Sequence, residues 1–202
     1  MNNTTKNNKI WKRLSKEEIN EFPIQRFDGP IHLIRTEDEL IKAVSILNKE
    51  TILGFDTETR PAFKKGEHYT PALLQLAGKK DAFLFQLKQT GLPALLSDIL
   101  SNPDIIKAGV SIDYDISELQ EITEFTPMGF IELGTRAKEL GIQNLGLRGL
   151  AALLLGFRIS KSASTSNWEN EKLSHSQIIY AATDAWVGRE LYMKLYKEPL
   201  PH

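Results

Sequence analysis

The hydrophobic positions of this 202-residue chain separate into runs that are apolar throughout and stripes that recur every three or four residues. Thr51–Thr57 (TILGFDT), Leu73–Ala77 and Ala82–Leu87 are runs of the first kind, and continuous apolarity predicts strands covered on both faces. Gly78-Lys79-Lys80-Asp81 is a short polar turn, so the strands it joins are expected to pair antiparallel as a hairpin. Ile31–Ile34 and Ile105–Val110 predict further strands, while Phe130–Leu133 is short and leaves its type open. The stripes predict helices over Thr36–Asn48 (Leu40, Ala43, Val44 and Leu47 on one face), Leu92–Leu100, about Tyr114–Ile122, Leu145–Leu155 ended by Gly156, and Ser174 to about Leu195. Ser15 with Glu18 forms a capping box for a short helix that Pro23 ends. Ser174 with Gln177 repeats the device, with Leu173 and Ile178 placed as a hydrophobic staple. A hairpin followed by alternating helices and strands implies one α/β domain over residues 15–200, a mixed β-sheet (antiparallel hairpin plus parallel strands) flanked by helices.

Composition narrows the class without naming an activity. With 41% hydrophobic and 25% charged residues the chain can bury one core. There is no apolar run of about 18 residues, the length a membrane span needs. The opening MNNTTKNNK is polar and lacks a signal peptide's apolar core, so residues 1–14 are read as a flexible tail. The absence of cysteine removes disulfides and thiolate metal sites, with a reducing cytoplasm as the simplest setting. A net charge of −1 argues against a general polyanion binder and leaves room for local basic contacts.

The chemistry lies in acids placed where acids are costly. Asp56 and Glu58 end the first central strand two residues apart, so both project to the face that carries Ile52 and Gly54. Neighbouring carboxylates repel unless one is protonated or a cation intervenes, and a divalent ion with oxygen ligands resolves the conflict. Asp-x-Glu also recurs by chance on solvated strand ends. In the last helix Tyr180, Asp184, Val187 and Leu191 share one face; its far half is apolar, and the near half is a phenol and a carboxylate. A carboxylate on an inward face needs a partner or a metal. Gly188 beside the stripe permits close approach of another element. A third acid comes from Ser111-Ile112-Asp113-Tyr114-Asp115. Asp113 suits the helix cap and leaves Asp115 for the site, although spacing alone does not choose between them. His175 is expected exposed in the first turn of the last helix, and His68 in a solvated loop. No nucleophile triad or phosphate-binding glycine loop is readable.

Asp56-Thr57-Glu58, Asp115 at the end of AGVSIDYD, and Tyr180-Ala181-Ala182-Thr183-Asp184 resemble the three motifs of the DEDDy 3′–5′ exonucleases, most of all the ribonuclease D and Werner-type domains of the ribonuclease-H-like superfamily. Leu73-Leu74-Gln75-Leu76, Leu147-Arg148-Gly149-Leu150-Ala151 and Ser166-Asn167-Trp168 agree, and the likeness runs from about Thr51 to Tyr196. The sister subgroup has histidine five positions before its aspartate; here that position is Ile179. The resemblance implies a ribonuclease-H-like sheet and hydrolysis at the 3′ end of DNA or RNA, releasing nucleoside monophosphates. It implies two divalent ions, Mg2+ or Mn2+, roughly 3.5–4 Å apart. Asp56 bridges them, Glu58 and Asp184 complete one site, and Asp115, chosen over Asp113 by the family register, holds the other. Tyr180, neutral at pH 7, would orient the attacking water rather than act as a bulk base.

Substrate contacts are expected from Arg60, Lys64 and Lys65 after the metal-binding strand, and from Lys161. Trp168 is placed either to stack on a base or to anchor the core. No protein partner is identifiable. His202 follows soon after the last helix, so recognition of structured ends is expected to draw on a partner or an oligomer. The rival is a nucleic-acid-binding module of the same fold that has lost catalysis, which would be expected to show a broken acidic set; here every motif position is filled.

Overall fold

The computed structural model describes residues 11–200. Elements follow in the order α1 (Lys16–Glu21), β1 (Ile31–Ile34), α2 (Glu37–Leu47), β2 (Ile52–Glu58), β3 (Leu73–Ala77), β4 (Ala82–Gln86), α3 (Leu87–Thr90), α4 (Ala94–Ser101), β5 (Ile106–Gly109), α5 (Asp113–Ile122), β6 (Phe130–Glu132), α6 (Leu133–Glu139), α7 (Leu147–Leu150) with a π-helical turn over Ala151–Leu155, and α8 (His175–Tyr196). The six strands form one sheet in the order β1-β4-β3-β2-β5-β6. β3 pairs antiparallel with both β2 and β4, and the other neighbours are parallel. This is the mixed, helix-flanked sheet the hydrophobic pattern predicts.

The double-sided apolarity of the central strands sorts by alternate residues into two cores. Leu53 and Phe55 of β2, Leu74 and Leu76 of β3, and Phe83 and Phe85 of β4 face α2 and α4 through Leu40, Leu47, Leu96 and Ile99. Leu73, Ala77, Ala82 and Leu84 face the other way, against Ala181, Ala182 and Ala185 of α8. Val187 and Leu191 continue α8 into a third cluster with Leu133, Leu150 and Leu154. α8 therefore lies flat across one face of the sheet.

Two glycines set how close it comes. A Cβ on Gly54 would stand 1.7 Å from the Ala185 carbonyl oxygen, and one on Gly188 would stand 2.7 Å from the Ala108 carbonyl oxygen. Helix backbone thus rests on strand backbone, the close approach expected beside Gly188. The helix is started by Ser174, which accepts from the Gln177 N–H while Gln177 returns the bond. Leu173 and Ile178 join the same cluster, as a staple requires.

Several elements depart from the hydrophobic pattern. The helix expected over Leu92–Leu100 runs from Ala94 to Ser101, and α3 and α6 are additional. The apolar stretch before Gly156 is α7 joined to a π-helical turn, closed by Gly156 in the left-handed conformation, φ 76°. Of the expected tail, residues 1–10 lie outside the described residues, whereas residues 11–14 are docked on the domain. Trp11 is buried at 6% exposure, and the Leu14 N–H and carbonyl both bond to the Asn144 side chain at 2.8 and 2.9 Å. Three apolar residues among lysine, arginine and asparagine are too short a run to specify an element, so this docking was not predictable from pattern. One buried lysine also belongs to the fold: Lys107 donates to the Ile99 and Asn102 carbonyls at the end of α4, at 3.0 and 2.7 Å.

Gly54→Ala should force α8 off the sheet. The expected cost is about 3 kcal/mol, at the upper end for overpacking. An unchanged thermal midpoint in this variant would show that the helix does not bear on the strand at Gly54.

Candidate active site

The close packing of α8 on β2 delivers its acids to the end of that strand. Asp56 and Glu58 lie on the same face as Gly54, and Asp184 directly precedes the Ala185 carbonyl that covers Gly54. Carboxylate oxygens of Asp56, Glu58 and Asp184 lie within 4.8 Å of one another. Glu58 and Asp184 are buried and Asp56 half-buried. None of the ion pairs among the described residues involves any of the three. The Oδ1 of Asp184 is buried with no hydrogen-bond partner.

Asp115 arrives from the first turn of α5 and accepts a hydrogen bond from the Thr57 hydroxyl. It stands outside the three-carboxylate group, while its charge still reaches Asp56 and Glu58. The expectation that Asp113 caps this helix is corrected: Asp113 is its first residue, and Ile112 precedes it without a side-chain cap. The Ile112 N–H is instead taken by Glu132 Oε2 at 2.9 Å, and Glu132 also accepts from the Gly134 N–H at 2.7 Å. One carboxylate at the end of β6 thus starts both α5 and α6. A cap supplied from 20 residues away leaves no local sequence signature. The chain enters α5 through Ser111 in the left-handed region, φ 63°.

The electrostatics follow from packing acids together in a poorly hydrated place. Burial, and then the charges of Asp184 and Asp115, hold the Asp56 carboxyl well above the usual range. Glu58 is raised in the same way, by burial first and then by Asp56. Burial pushes Asp184 up to about 7 against the opposing effect of the Tyr180 hydroxyl. Asp115 is raised by burial, with the Thr57 hydroxyl pulling the other way. Burial also raises Tyr180, reinforced by Asp184, so its hydroxyl stays protonated at neutral pH.

The remaining expected residues divide. Trp168 is 1% exposed and packs at 6.0 Å, ring to ring, against Tyr180. It is therefore an anchor beneath the tyrosine, and stacking on a base is ruled out by its burial. Arg60 lies over the Tyr69 ring at 4.7 Å and pairs with Glu169 at 3.2 Å, so it is already engaged. Lys64 and Lys65 are exposed in the loop after β2, and nothing brings them to the carboxylates. Lys161 lines a cleft of about 450 Å³ that also reaches Tyr180 and Asp184. His175 and His68 are both exposed, as expected, and His68 in addition stands 3.2 Å from buried Glu118 on α5.

Sequence reasoning missed three supporting residues. Thr57 fixes Asp115 and Glu132 orients the helix that carries it. Gln75, opposite Asp56 in the sheet, is fully buried with its Oε1 unpaired. A lone glutamine inside an apolar strand was the visible signal for the last.

These donors fit divalent metal. They are hard carboxylate oxygens, three converge, no basic side chain neutralises them, and one buried oxygen lacks a partner. A helix-flanked mixed sheet with carboxylates gathered at the end of a central strand defines the class of acidic-site nucleases. The chain belongs to the 3′–5′ exonuclease family, whose model matches residues 31–199. It is 34% identical over 155 residues to the bifunctional 3′–5′ exonuclease/ATP-dependent helicase WRN of Mus musculus, covering 74% of this chain and 11% of that protein. It is 29% identical over 173 residues to ribonuclease D of Gluconacetobacter diazotrophicus, covering 84% of this chain and 43% of that one. Among solved structures, the Aedes aegypti Nibbler EXO domain superposes with a TM-score of 0.77 at 24% identity, over 87% of this chain and 91% of that domain. The chain thus spans less than half the length of either of these two relatives.

Carboxyls raised in the folded state bind protons more tightly than in the unfolded chain, so metal-free stability falls as pH rises through the raised value. For Asp184, at about 7, the loss is spread between its unfolded value near 4 and neutrality. Asp184→Asn should flatten this dependence and make the metal-free protein about 2 kcal/mol more stable than the parent at pH 8, of the order that such a shift allows. Parallel melting curves for parent and variant between pH 5 and pH 8, run in chelator, check it; coincident pH dependence would contradict the assigned strain.

Proposed function

We propose that this chain is a metal-dependent 3′–5′ exonuclease that hydrolyses the terminal phosphodiester of DNA or RNA and releases nucleoside monophosphates. The observation that carries the reading is the convergence of Asp56, Glu58 and Asp184, none of which is ion-paired to a basic side chain among the described residues. Family membership gives the reaction class. The cysteine-free composition suits a reducing compartment such as the cytoplasm, and no helix among the described residues is long and apolar enough to cross a membrane.

Two divalent cations, Mg2+ or Mn2+, when bound here supply positive charge to the attacking and departing oxygens of an in-line displacement at phosphorus. Asp56, Glu58 and Asp184 would hold these cations together with Asp115. Thr57 holds Asp115 in register through its hydroxyl. The protonated Tyr180 hydroxyl, packed on Trp168, orients the attacking water and cannot serve as its bulk base. Water oxygen bonds to phosphorus, the bond from phosphorus to the 3′ oxygen breaks, that oxygen takes a proton to become the new 3′ hydroxyl, and the proton lost by the attacking water passes to solvent.

Digestion of 5′-labelled DNA and RNA with Mg2+ or Mn2+ should give a ladder that shortens from the 3′ end. Asp56→Ala should reduce it to background. Tyr180→Phe should lower kcat about 100-fold, the lower range for a group that positions a proton in the transition state, and leave metal affinity intact. Internal cleavage would overturn the exonuclease reading. Binding of the labelled strands without cleavage under either metal would favour a catalytically silent binding module.

A further inference from the structure

Residues 11–26 precede β1 and lie ahead of the stretch matched by the family model, which begins at residue 31. They nevertheless form a fixed strap. Trp11 is buried in the cluster of Leu154, Phe157 and Leu195, and Asn144 holds Leu14 at both ends of its peptide unit. Further on, the Arg158 N–H donates to the Pro23 carbonyl and the Gln25 N–H to the Arg158 carbonyl, each at 2.9 Å. The Arg158 Nε donates to the Asn20 and Phe22 carbonyls at 3.2 and 3.1 Å.

The strap walls the cleft that opens on the carboxylates. Arg13 and Lys16 line that cleft together with Arg148 and Lys161, and it reaches Tyr180 and Asp184. Among the described residues Asp184 is the one acid in its lining. In a chain of net charge −1, four cations facing one cleft are a local concentration, not a reflection of the whole. Arg13, Lys16 and Lys161 take part in no ion pair among the described residues. The nearby acid Glu18 is occupied by Lys12 and the Ser15 N–H. Arg148 is steadied by Asn20, with its Nε buried and unpaired. A second groove of about 430 Å³ continues outward, again bordered by Arg13, Lys16 and Asn144.

We infer that the strap is a substrate rail: Arg13 and Lys16 hold backbone phosphates of the strand being trimmed, on the 5′ side of the bond that is cut. The inference rests on the exonuclease reading above and adds to it a segment outside the matched region. Phosphate contacts of this kind position a strand without reading its sequence and weaken with salt. A dinucleotide has one internucleotide phosphate, the one that is cut, whereas a strand of about 12 nucleotides, the scale of a single-strand site, offers the further phosphates that the strap would hold.

The test is the double variant Arg13→Gln/Lys16→Gln, assayed on a dinucleotide and on a strand of about 12 nucleotides, the scale of single-strand sites. The preference for the longer strand in kcat/KM should fall about tenfold, a change expected for losing two phosphate contacts at low salt. Lys79→Gln/Lys80→Gln, which removes the same charge from the turn between β3 and β4, should keep the parent's preference. In chelator, the anisotropy of a labelled strand should show the magnitude of the slope of log affinity against log salt falling by about 1.4, or 0.7 for each lost contact. Equal losses on short and long substrates, or an unchanged salt slope, would overturn the rail. A parent protein that cuts neither substrate would instead overturn the exonuclease reading, and the binding measurement would still judge the strap.

Discussion

The structure depends on one contact, the seating of α8 on β2 with no side chain between Gly54 and the Ala185 carbonyl. Any Cβ at position 54 would part the two backbones and carry Asp184 away from Asp56 and Glu58. The seated helix forces three carboxylates into one poorly hydrated place. Their burial, and after it the repulsion among them, is a standing cost to the fold, expressed in raised carboxyls and an unpaired Asp184 oxygen. Two well-buried cores on either side of the sheet hold the arrangement in spite of that cost. A divalent ion bound among these carboxylates would turn the same cost into affinity, and the proposed function rests on that exchange.

What was legible in the sequence is what local periodicity records. Strands apolar on both faces marked the central sheet, and the two capping boxes at Ser15 and Ser174 marked helix starts that the structure confirms residue for residue. Asp56, Glu58, Tyr180 and Asp184 stood out because each interrupts an apolar pattern, and the structure puts three of them in one group with Tyr180 against it.

What was not legible is what distant residues decide. Asp113 looked like a cap because the sequence offered no other, yet Glu132 performs that task across the sheet. Trp168 could be read as a stacking platform or as an anchor, and its burial chooses the anchor. Arg60 read as a free phosphate contact until Glu169 and Tyr69 were seen to hold it. The strap is the largest such case. Trp11 and Leu14 fall before the first helix the sequence marks, and it is the burial of Trp11 and the bonding of Leu14 to Asn144 that make them part of the domain. The cations that face the cleft were consequently sought mainly in the loop after β2; Lys161, also expected, does line the cleft, and the structure adds Arg13, Lys16 and Arg148 to it.

The central claim is that the carboxylates at the end of β2 are a metal centre, and it is tested most directly by locating the metal. Anomalous diffraction from crystals soaked in Mn2+ should show density contacting Asp56, Glu58 and Asp184 together, with any second peak between Asp56 and Asp115. Crystals that bind Mn2+ elsewhere, or leave this cluster without density at saturating metal, would contradict the account.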